Sequence, residues 1–334
     1  MRVLKIWSVV VNSVDVTDAI ASSIISLNYT DVFSSGASLI DFEVASDSPF
    51  MPVINQFIEI KFGYLDSPGF FVNTGTMRID NVVQGFRPDT VKLGAIAWEA
   101  GQEAFNEGFS YGYQNFNLAA AIANSATVLG LTVSPLPNPL PNNLIIGTTP
   151  TLSASSSNTA SITSLRGRYR LLDDIATQYG YLFQAKGGIL FFRRLTDVRA
   201  LPAIATIPLS ACQPGSTFRR NQAGVVRQVD ITTRSGTTTT YTDALVPASI
   251  QTRVKIPDYF ENLGATAARA AGFFAERNEG MLTGRISFAG SVIYSSGQSV
   301  TLSGFTAPYN GKWLITQVNH TYGASGYTTE LSLA

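Results

Sequence analysis

The sequence is poor in the residues from which most catalytic and metal sites are built. It contains one histidine, His320, and one cysteine, Cys212, in 334 residues. A single cysteine excludes an internal disulfide framework and a cysteine-based zinc site, and a single histidine excludes a multi-histidine metal site. The sequence also has no EF-hand spacing and no glycine-rich phosphate loop. It therefore predicts no metal, no cofactor and no catalytic residue.

Charged residues are scarce as well, at 14% of the chain against 45% hydrophobic residues. Lys+Arg and Asp+Glu are equal at 23 each, so no basic excess favours sequence-specific nucleic-acid binding. A surface with few charges instead indicates a protein that other subunits largely cover. No apolar run reaches the ~20 residues of a membrane helix, and the N-terminal run is shorter than a signal-peptide core. We therefore expect a cytosolic product without a membrane anchor.

Short β-branched and aromatic runs, separated by Gly, Pro, Asn and Asp, are what the sequence does contain. Such runs are typical of antiparallel β proteins, and the apolar alternation within residues 89–97 fits a half-buried strand. Helical spacing of apolar residues predicts helices within residues 116–131, 171–179 and 265–278. The Pro/Ser-rich segment at 134–160 predicts a long, extended loop.

Two stretches of the chain repeat the same spacing around a glycine. In each, an isoleucine follows the glycine by four residues and a valine follows the isoleucine by three. The matching residues are Gly75, Ile79 and Val82 in the first stretch and Gly311, Ile315 and Val318 in the second. A chance likeness between two β-meanders stays open, but the matched spacing favours two related β-barrels with glycine corners. A ring of three such chains would present six similar barrels to a sixfold partner.

These patterns predict a mainly β fold with α+β insertions, in which two similar antiparallel β-barrels flank an inserted α+β domain. The predicted boundaries are 1–100 for the first barrel, 101–195 for the inserted α+β domain with its loop at 134–160, 196–241 with 282–334 for the second barrel, and 242–281 for a helical insertion.

One motif has the form of a catalytic site. GFSYG, at residues 108–112, matches the G-x-S-x-G nucleophile elbow with Ser110 as nucleophile, and His320 follows in an order that a triad permits. An elbow needs a buried apolar strand before the serine, whereas GQEAFNE precedes this one. We therefore interpret the motif as a connector and His320 as a neutral, partnered strand residue. A serine hydrolase that uses Ser110 and His320 stays as an alternative.

Four stretches in different parts of the chain carry a family resemblance. They are DVTDAIASSIISLNYTDVFSSGASLIDFEVAS, then FIEIKFGY with GTMRIDNVVQGFRPDTVKLGAIA, then LLDDIATQYGYLFQAKGGILFF, and finally GQSVTLSGF with GKWLITQVNHTYGASGYTTELSL. In this order they resemble the tail hubs of contractile-tailed bacteriophages, the late control D family, whose relatives occur in contractile injection systems. Residues 132–160 and 242–262 carry no part of this resemblance.

The resemblance implies tail-tube-like barrels and a homotrimer that forms a pseudo-sixfold ring. In the virion baseplate, assembled in the host cytoplasm, such a ring joins the hexameric tail tube to a trimeric central spike and contacts other baseplate proteins. Because the chain stops at the closing strand, residues 328–333, the spike is expected to be a separate chain. We therefore expect a structural protein and not an enzyme. A receptor-binding tail adhesin, with the loop at 134–160 exposed, is the other alternative.

Overall fold

The chain divides into two structural units. Unit 1 comprises Met1–Gly101, Val198–Phe218 and Gly284–Ala334, and unit 2 comprises Gln102–Asp197 and Arg219–Thr283. In this computed structural model the described residues are 4–33, 37–45, 50–66, 70–86, 89–97, 109–113, 118–133, 160–164, 172–173, 176–177, 180–186, 188–221, 224–232, 236–244, 246–257, 263–278 and 281–334.

Strands dominate both units. The strands are β1 (Leu4–Val11), β2 (Val14–Asp15), β3 (Ile24–Val32), β4 (Leu39–Ala45), β5 (Phe57–Tyr64), β6 (Phe71–Asn73), β7 (Met77–Gly85), β8 (Thr90–Ala97), β9 (Phe109–Tyr113), β10 (Thr132–Val133), β11 (Ala160–Ser164), β12 (Tyr181–Lys186), β13 (Ile189–Arg194), β14 (Ala203–Pro208), β15 (Thr217–Arg220), β16 (Gln228–Thr232), β17 (Thr238–Thr242), β18 (Arg253–Pro257), β19 (Leu282–Ala289), β20 (Ser299–Ser303), β21 (Gly311–Gly323) and β22 (Gly326–Leu333). The helices are α1 (Thr17–Ile20), α2 (Leu118–Val128), α3 (Leu195–Ala200) and α4 (Leu263–Asn278), with a 3-10 turn at Leu209–Ala211.

Unit 1 is built on one large sheet. Its strand order is β15-β19-β22-β21-β3-β4-β8-β7-β5-β1-β2, while β6 pairs with β5, β20 with β21 and β14 with β20. From β19 to β2 all neighbours are antiparallel, and the β14–β20 ladder is parallel. Apolar side chains of alternate strand positions form the core, as the period of two requires. The mainly β fold with antiparallel sheets is thereby confirmed.

Unit 2 contains small sheets and two of the predicted helices. Its sheets have the orders β10-β13-β12, β11-β9 and β17-β16-β18. The helices predicted within 116–131 and 265–278 are present as α2 and α4. The helix predicted at 171–179 and the loop predicted at 134–160 lie largely outside the described residues.

Two of the predicted boundaries are wrong for unit 2. Strands β16 and β17 were assigned to the second barrel, but they form a separate sheet with β18, a strand in the segment predicted as a helical insertion. The apolar side chains of β16, Val229 and Ile231, pack against Ala270 and Phe273 of α4. The run of β-branched residues predicts a strand here, but only the tertiary structure decides which element covers its apolar side chains.

A charged pair ties the sheet of β16, β17 and β18 together. Arg253 donates from Nε and Nη2 to the Asp230 carboxylate at 2.8 Å each, and Thr240 Oγ1 donates to it at 2.7 Å. The Arg253 hydrogen bonds, and secondarily that of Thr240, hold the pKa of Asp230 below its ordinary value. Since each oxygen of this buried carboxylate has a partner on a neighbouring strand, the arrangement is that of a structural pair.

Candidate functional site

Unit 1 contains the same five-strand pattern twice. The first repeat has the strand order β3-β4-β8-β7-β5 and the second has β15-β19-β22-β21-β20. We call these two sets the first repeat and the second repeat. The pairing of β7 with β5 in one corresponds to the pairing of β21 with β20 in the other. The two stretches that share the glycine–isoleucine–valine spacing therefore belong to two substructures with the same strand order.

In each repeat the same kind of turn precedes the strand at the end of the order, β5 or β20. A glutamine side chain accepts a main-chain hydrogen bond in this turn, which we call the glutamine turn. In the first repeat, the Val53 N–H donates to Gln56 Oε1 at 2.9 Å, and in the second the Ser295 N–H donates to Gln298 Oε1 at 2.9 Å. The residue before each glutamine has a positive φ, 70° in the first turn and 81° in the second. The backbone and the glutamine are shared, although the other side chains differ.

Each turn is tied to the isoleucine that the spacing picked out. Ile79 exchanges main-chain hydrogen bonds of 2.8 and 2.8 Å with the first turn, and Ile315 exchanges bonds of 2.8 and 2.8 Å with the second. Both isoleucines are fully buried, and each follows a glycine of positive φ, Gly75 or Gly311. In both repeats the register of the next ladder shifts directly after the isoleucine. A β-bulge at the same place in two ladders is a strong sign of equivalent structures.

The bulges make β7 and β21 equivalent residue by residue. Residues 81–85 of β7 face β8 as residues 317–321 of β21 face β22. Gln84 of the first repeat therefore corresponds to His320 of the second. Val82 and Val318 also correspond, as the spacing predicted.

Within the chain, the two repeats are joined edge to edge. After its bulge, β21 leaves β20 and pairs antiparallel with β3, residues 317–322 against residues 32–27. Around this ladder, the buried carboxylate of Asp31 accepts a hydrogen bond from the Ser296 N–H at 3.0 Å, and the ring of Phe33 covers Gly297. The edge strand of the first repeat thus covers both β21 and the glutamine turn of the second.

His320 lies at this junction inside an aromatic cluster. Its ring, 2% exposed, stacks between Tyr29 at 6.1 Å and Tyr327 at 6.0 Å, with Phe62 edge-on at 5.6 Å between ring centroids. The Tyr327 hydroxyl donates to the Ser291 carbonyl at 3.1 Å and lies 2.8 Å from His320 Nδ1. The Tyr327 hydroxyl and His320 Nδ1 are therefore hydrogen-bonded, and the tautomer of His320 sets which of the two atoms donates. Burial raises the pKa of Tyr327, so the hydroxyl stays protonated.

We expect replacement of His320 by glutamine to lower the free energy of unfolding by about 1–3 kcal/mol, because the ring contacts and the hydrogen bond to Tyr327 are lost in a buried site. Chemical denaturation followed by circular dichroism measures the change. The matched control is Gln84→His at the exposed equivalent position, where no comparable loss is expected. An unchanged denaturation midpoint for His320→Gln would contradict a stabilising role.

Ser110 lies in a setting that differs from a nucleophile elbow. It is in β9, opposite Thr163 of β11, and strand residues follow it up to Tyr113. The helix α2 begins only at Leu118. An elbow serine sits on a sharp turn between a strand and a helix. Ser110 belongs to unit 2 and His320 to unit 1.

The part of the chain that the structure describes contains neither a candidate metal site nor a candidate membrane-spanning helix. No group of three or more His, Cys, Asp or Glu is placed to hold a metal ion there. In the same residues, no helix is both long enough and apolar enough to cross a membrane.

Comparison with known proteins identifies the fold. No family model and no curated protein sequence matches the chain. A tail protein from Neisseria meningitidis matches 99% of the chain over 96% of its own length, at a TM-score of 0.74 and 14% identity. The 43 kDa tail protein of prophage MuSo2 from Shewanella oneidensis matches 100% of the chain over 97% of its own, at 0.67 and 14%.

A third similar structure comes from a secretion machine. It is an Escherichia coli component of the type VI secretion system, described as structurally similar to the T4 bacteriophage tail proteins gp27 and gp5. It matches 99% of the chain over 76% of its own length, at a TM-score of 0.59 and 12% identity. At such identities the likeness establishes the fold, and the chain has the fold of these tail proteins.

Proposed function

We propose that the chain is a structural hub of a phage-type tail baseplate. Three copies form a pseudo-sixfold ring that adapts a hexameric tail tube to a trimeric central spike carried on a separate chain. The observation that carries the proposal is the residue-level repeat in unit 1, with its matched glutamine turns and bulges. The likeness of the fold to tail proteins supports it.

The repeat provides a physical reason for this role. A threefold ring of chains that each carry two equivalent substructures has six similar positions around its axis. A sixfold tube can then meet similar surfaces at all six positions, while the remaining parts of the chain keep threefold symmetry for the spike. Chains with one such substructure would instead leave every second tube contact mismatched.

The proposed partners are therefore other protein chains. They are two further copies of this chain, the tail tube protein, the spike protein and neighbouring baseplate proteins, and the proposed location is the tail of the virion. Low charge is consistent with extensive covered surface, since 14% of the residues are charged. On this proposal the chain acts by binding and not by catalysis.

Neither alternative gains a specific observation. A hydrolase would need Ser110 on an exposed turn, whereas Ser110 lies within a strand, and the ring of His320 is buried among aromatic residues. The adhesin alternative depends on the loop at 134–160, which lies almost wholly outside the described residues. It stays a prediction that a binding screen on host cells would test.

The mass of the purified chain, alone and mixed with the tube and spike proteins of the same tail, tests the proposal. We expect a particle of three 35.8 kDa chains that binds both partners. Native mass spectrometry gives the copy number, and co-elution gives the binding. A stable monomer that binds neither protein would overturn the proposal. Hydrolysis that a Ser110→Ala variant abolishes would favour the enzyme instead.

A further inference from the structure

The first repeat has an open edge at the place where the second repeat is covered. Residues 317–322 of β21 lie between β22 and β3. Of the equivalent residues, 81–86, residues 81–85 pair with β8 on one side, while β5 reaches only Met77 and Arg78 on the other. In the described part of the chain no strand pairs with this second edge of residues 81–86.

Apolar side chains are exposed along this open edge. Val83 is 51% exposed and Phe86 is 76% exposed, and on the adjoining glutamine turn Val53 is 57% and Ile54 is 52% exposed. The equivalent turn in the second repeat is the one that β3 covers through Asp31 and Phe33. Exposed, unpaired strand edges with apolar side chains are sites that other strands pair with. The repeat therefore indicates that the first edge is also covered in the assembled protein.

The strand equivalent to β3 is β15, and it ends the sheet. β3 pairs with β4 in the first repeat, and β15 pairs with the equivalent strand, β19, in the second. β15 is the last strand at its end of the sheet. In the first repeat, the residue of β4 that is reached from the β7 bulge across β8 is Ile40. In the second repeat, the residue of β19 that is reached from the β21 bulge across β22 is Gly284. Ile40 and Gly284 are therefore equivalent. Tyr29 of β3 is opposite Ile40, and the ring of Phe218 of β15 covers Gly284. Phe218 therefore occupies the position of Tyr29.

We propose that β7 of one copy pairs antiparallel with β15 of the next copy, so that the β21–β3 junction is repeated between chains. The inference rests on the proposed ring and specifies its chain–chain contact. Translating the β21–β3 register places Val83 opposite Arg219 of the next copy and Gly85 opposite Thr217. Each copy offers one β7 edge and one β15 edge, so the contact is head-to-tail, which is the kind of interface that the proposed ring requires.

A second copy fits this edge better than an unrelated strand does. The chain already contains the complementary strand, and it already makes the same junction once, between β21 and β3. Charge also agrees, because exposed Asp80 lies within two positions of Arg220 of the next copy in this register.

Disulfide trapping tests the pairing in the full-length chain. In a Cys212→Ser background, the Val83→Cys and Arg219→Cys variants are combined, oxidised mildly and run on non-reducing gels. Residues opposite each other in a ladder lie close enough for a disulfide. We expect covalent dimers and trimers from this pair, and unlinked chains from each single variant. The matched control combines Val83→Cys with Arg220→Cys, whose side chain points to the opposite face of the strand and should not link.

A second pair, Gly85→Cys with Thr217→Cys, repeats the test should the first fail to fold, and thermal melts establish folding. Native mass spectrometry separates the outcomes. Trimers that neither pair cross-links would overturn the edge pairing and leave the proposed function standing. Linkage in the opposite-face control but not in the two facing pairs would overturn the register. A folded chain that stays monomeric would overturn the ring, and this inference with it.

Discussion

Replacing Phe62 by alanine is expected to lower the free energy of unfolding by about 3–5 kcal/mol, the usual range when a fully buried phenylalanine is removed. Phe62 is 0% exposed, and its ring meets three aromatic rings edge-on: Tyr29 at 6.3 Å, His320 at 5.6 Å and Tyr327 at 6.3 Å. The surrounding rings belong to three different strands, β3, β21 and β22, so they cannot collapse together into the space. The variant therefore loses buried apolar area and leaves a cavity at the junction of the two repeats.

Guanidinium denaturation at one fixed protein concentration measures this loss, since stability would depend on concentration in an oligomer. The matched control is Phe70→Ala, because Phe70 is 64% exposed. Its substitution is expected to change the free energy of unfolding by no more than about 0.5 kcal/mol. Equal denaturation midpoints for the two variants would show that the aromatic cluster does not hold the junction.

Replacing Gly290 by alanine is expected to cost about 3 kcal/mol, at the upper end of the range for overpacked sites. A Cβ at this position would lie 1.9 Å from Cδ1 of Tyr327 and 2.4 Å from two more atoms of the ring. The ring has little freedom to move, because its hydroxyl is bonded to Ser291 and His320. The Gly290 N–H also donates to the Tyr327 carbonyl at 2.9 Å. Close approach, and not backbone conformation, is therefore what requires glycine here.

Gly94→Ala is the matched control for this substitution. The nearest atoms to a Cβ at Gly94 are 3.7 Å away, which is ordinary contact, and the residue lies within β8. Alanine is expected to be neutral or to stabilise this strand by up to about 1 kcal/mol, because glycine loses more conformational freedom on folding. Melting temperatures of the two variants check the contrast. A Gly290→Ala variant as stable as Gly94→Ala would show that Tyr327 can move.

The repeat was only partly visible in the sequence. Spacing from Gly75 and Gly311 could be read directly, because positive φ restricts those positions to few residue types. The glutamine turns were missed, since Asn55 takes the positive φ in one turn and Gly297 in the other. Their shared feature is a set of main-chain hydrogen bonds, which different side chains can accompany.

Local patterns were reliable for elements and weak for the surfaces that cover them. The spacing within 265–278 predicted α4, and the β-branched run that contains β16 predicted a strand. No local pattern shows that the apolar side chains of this strand meet α4 and not a barrel wall. The same holds for Ser110, because the G-x-S-x-G motif does not determine whether the serine lies in a strand or on a turn.

The sequence by itself determined the kinds of element this protein forms. Its β-period runs predict strands, and its glycines predict the corners between them. Only the tertiary structure decided which edges meet. β3 and β21 are nearly the whole chain apart, and they pair along the edge of β21 that β20 leaves free after Leu314. Such pairing depends on edge availability and shape, which no local window of sequence contains.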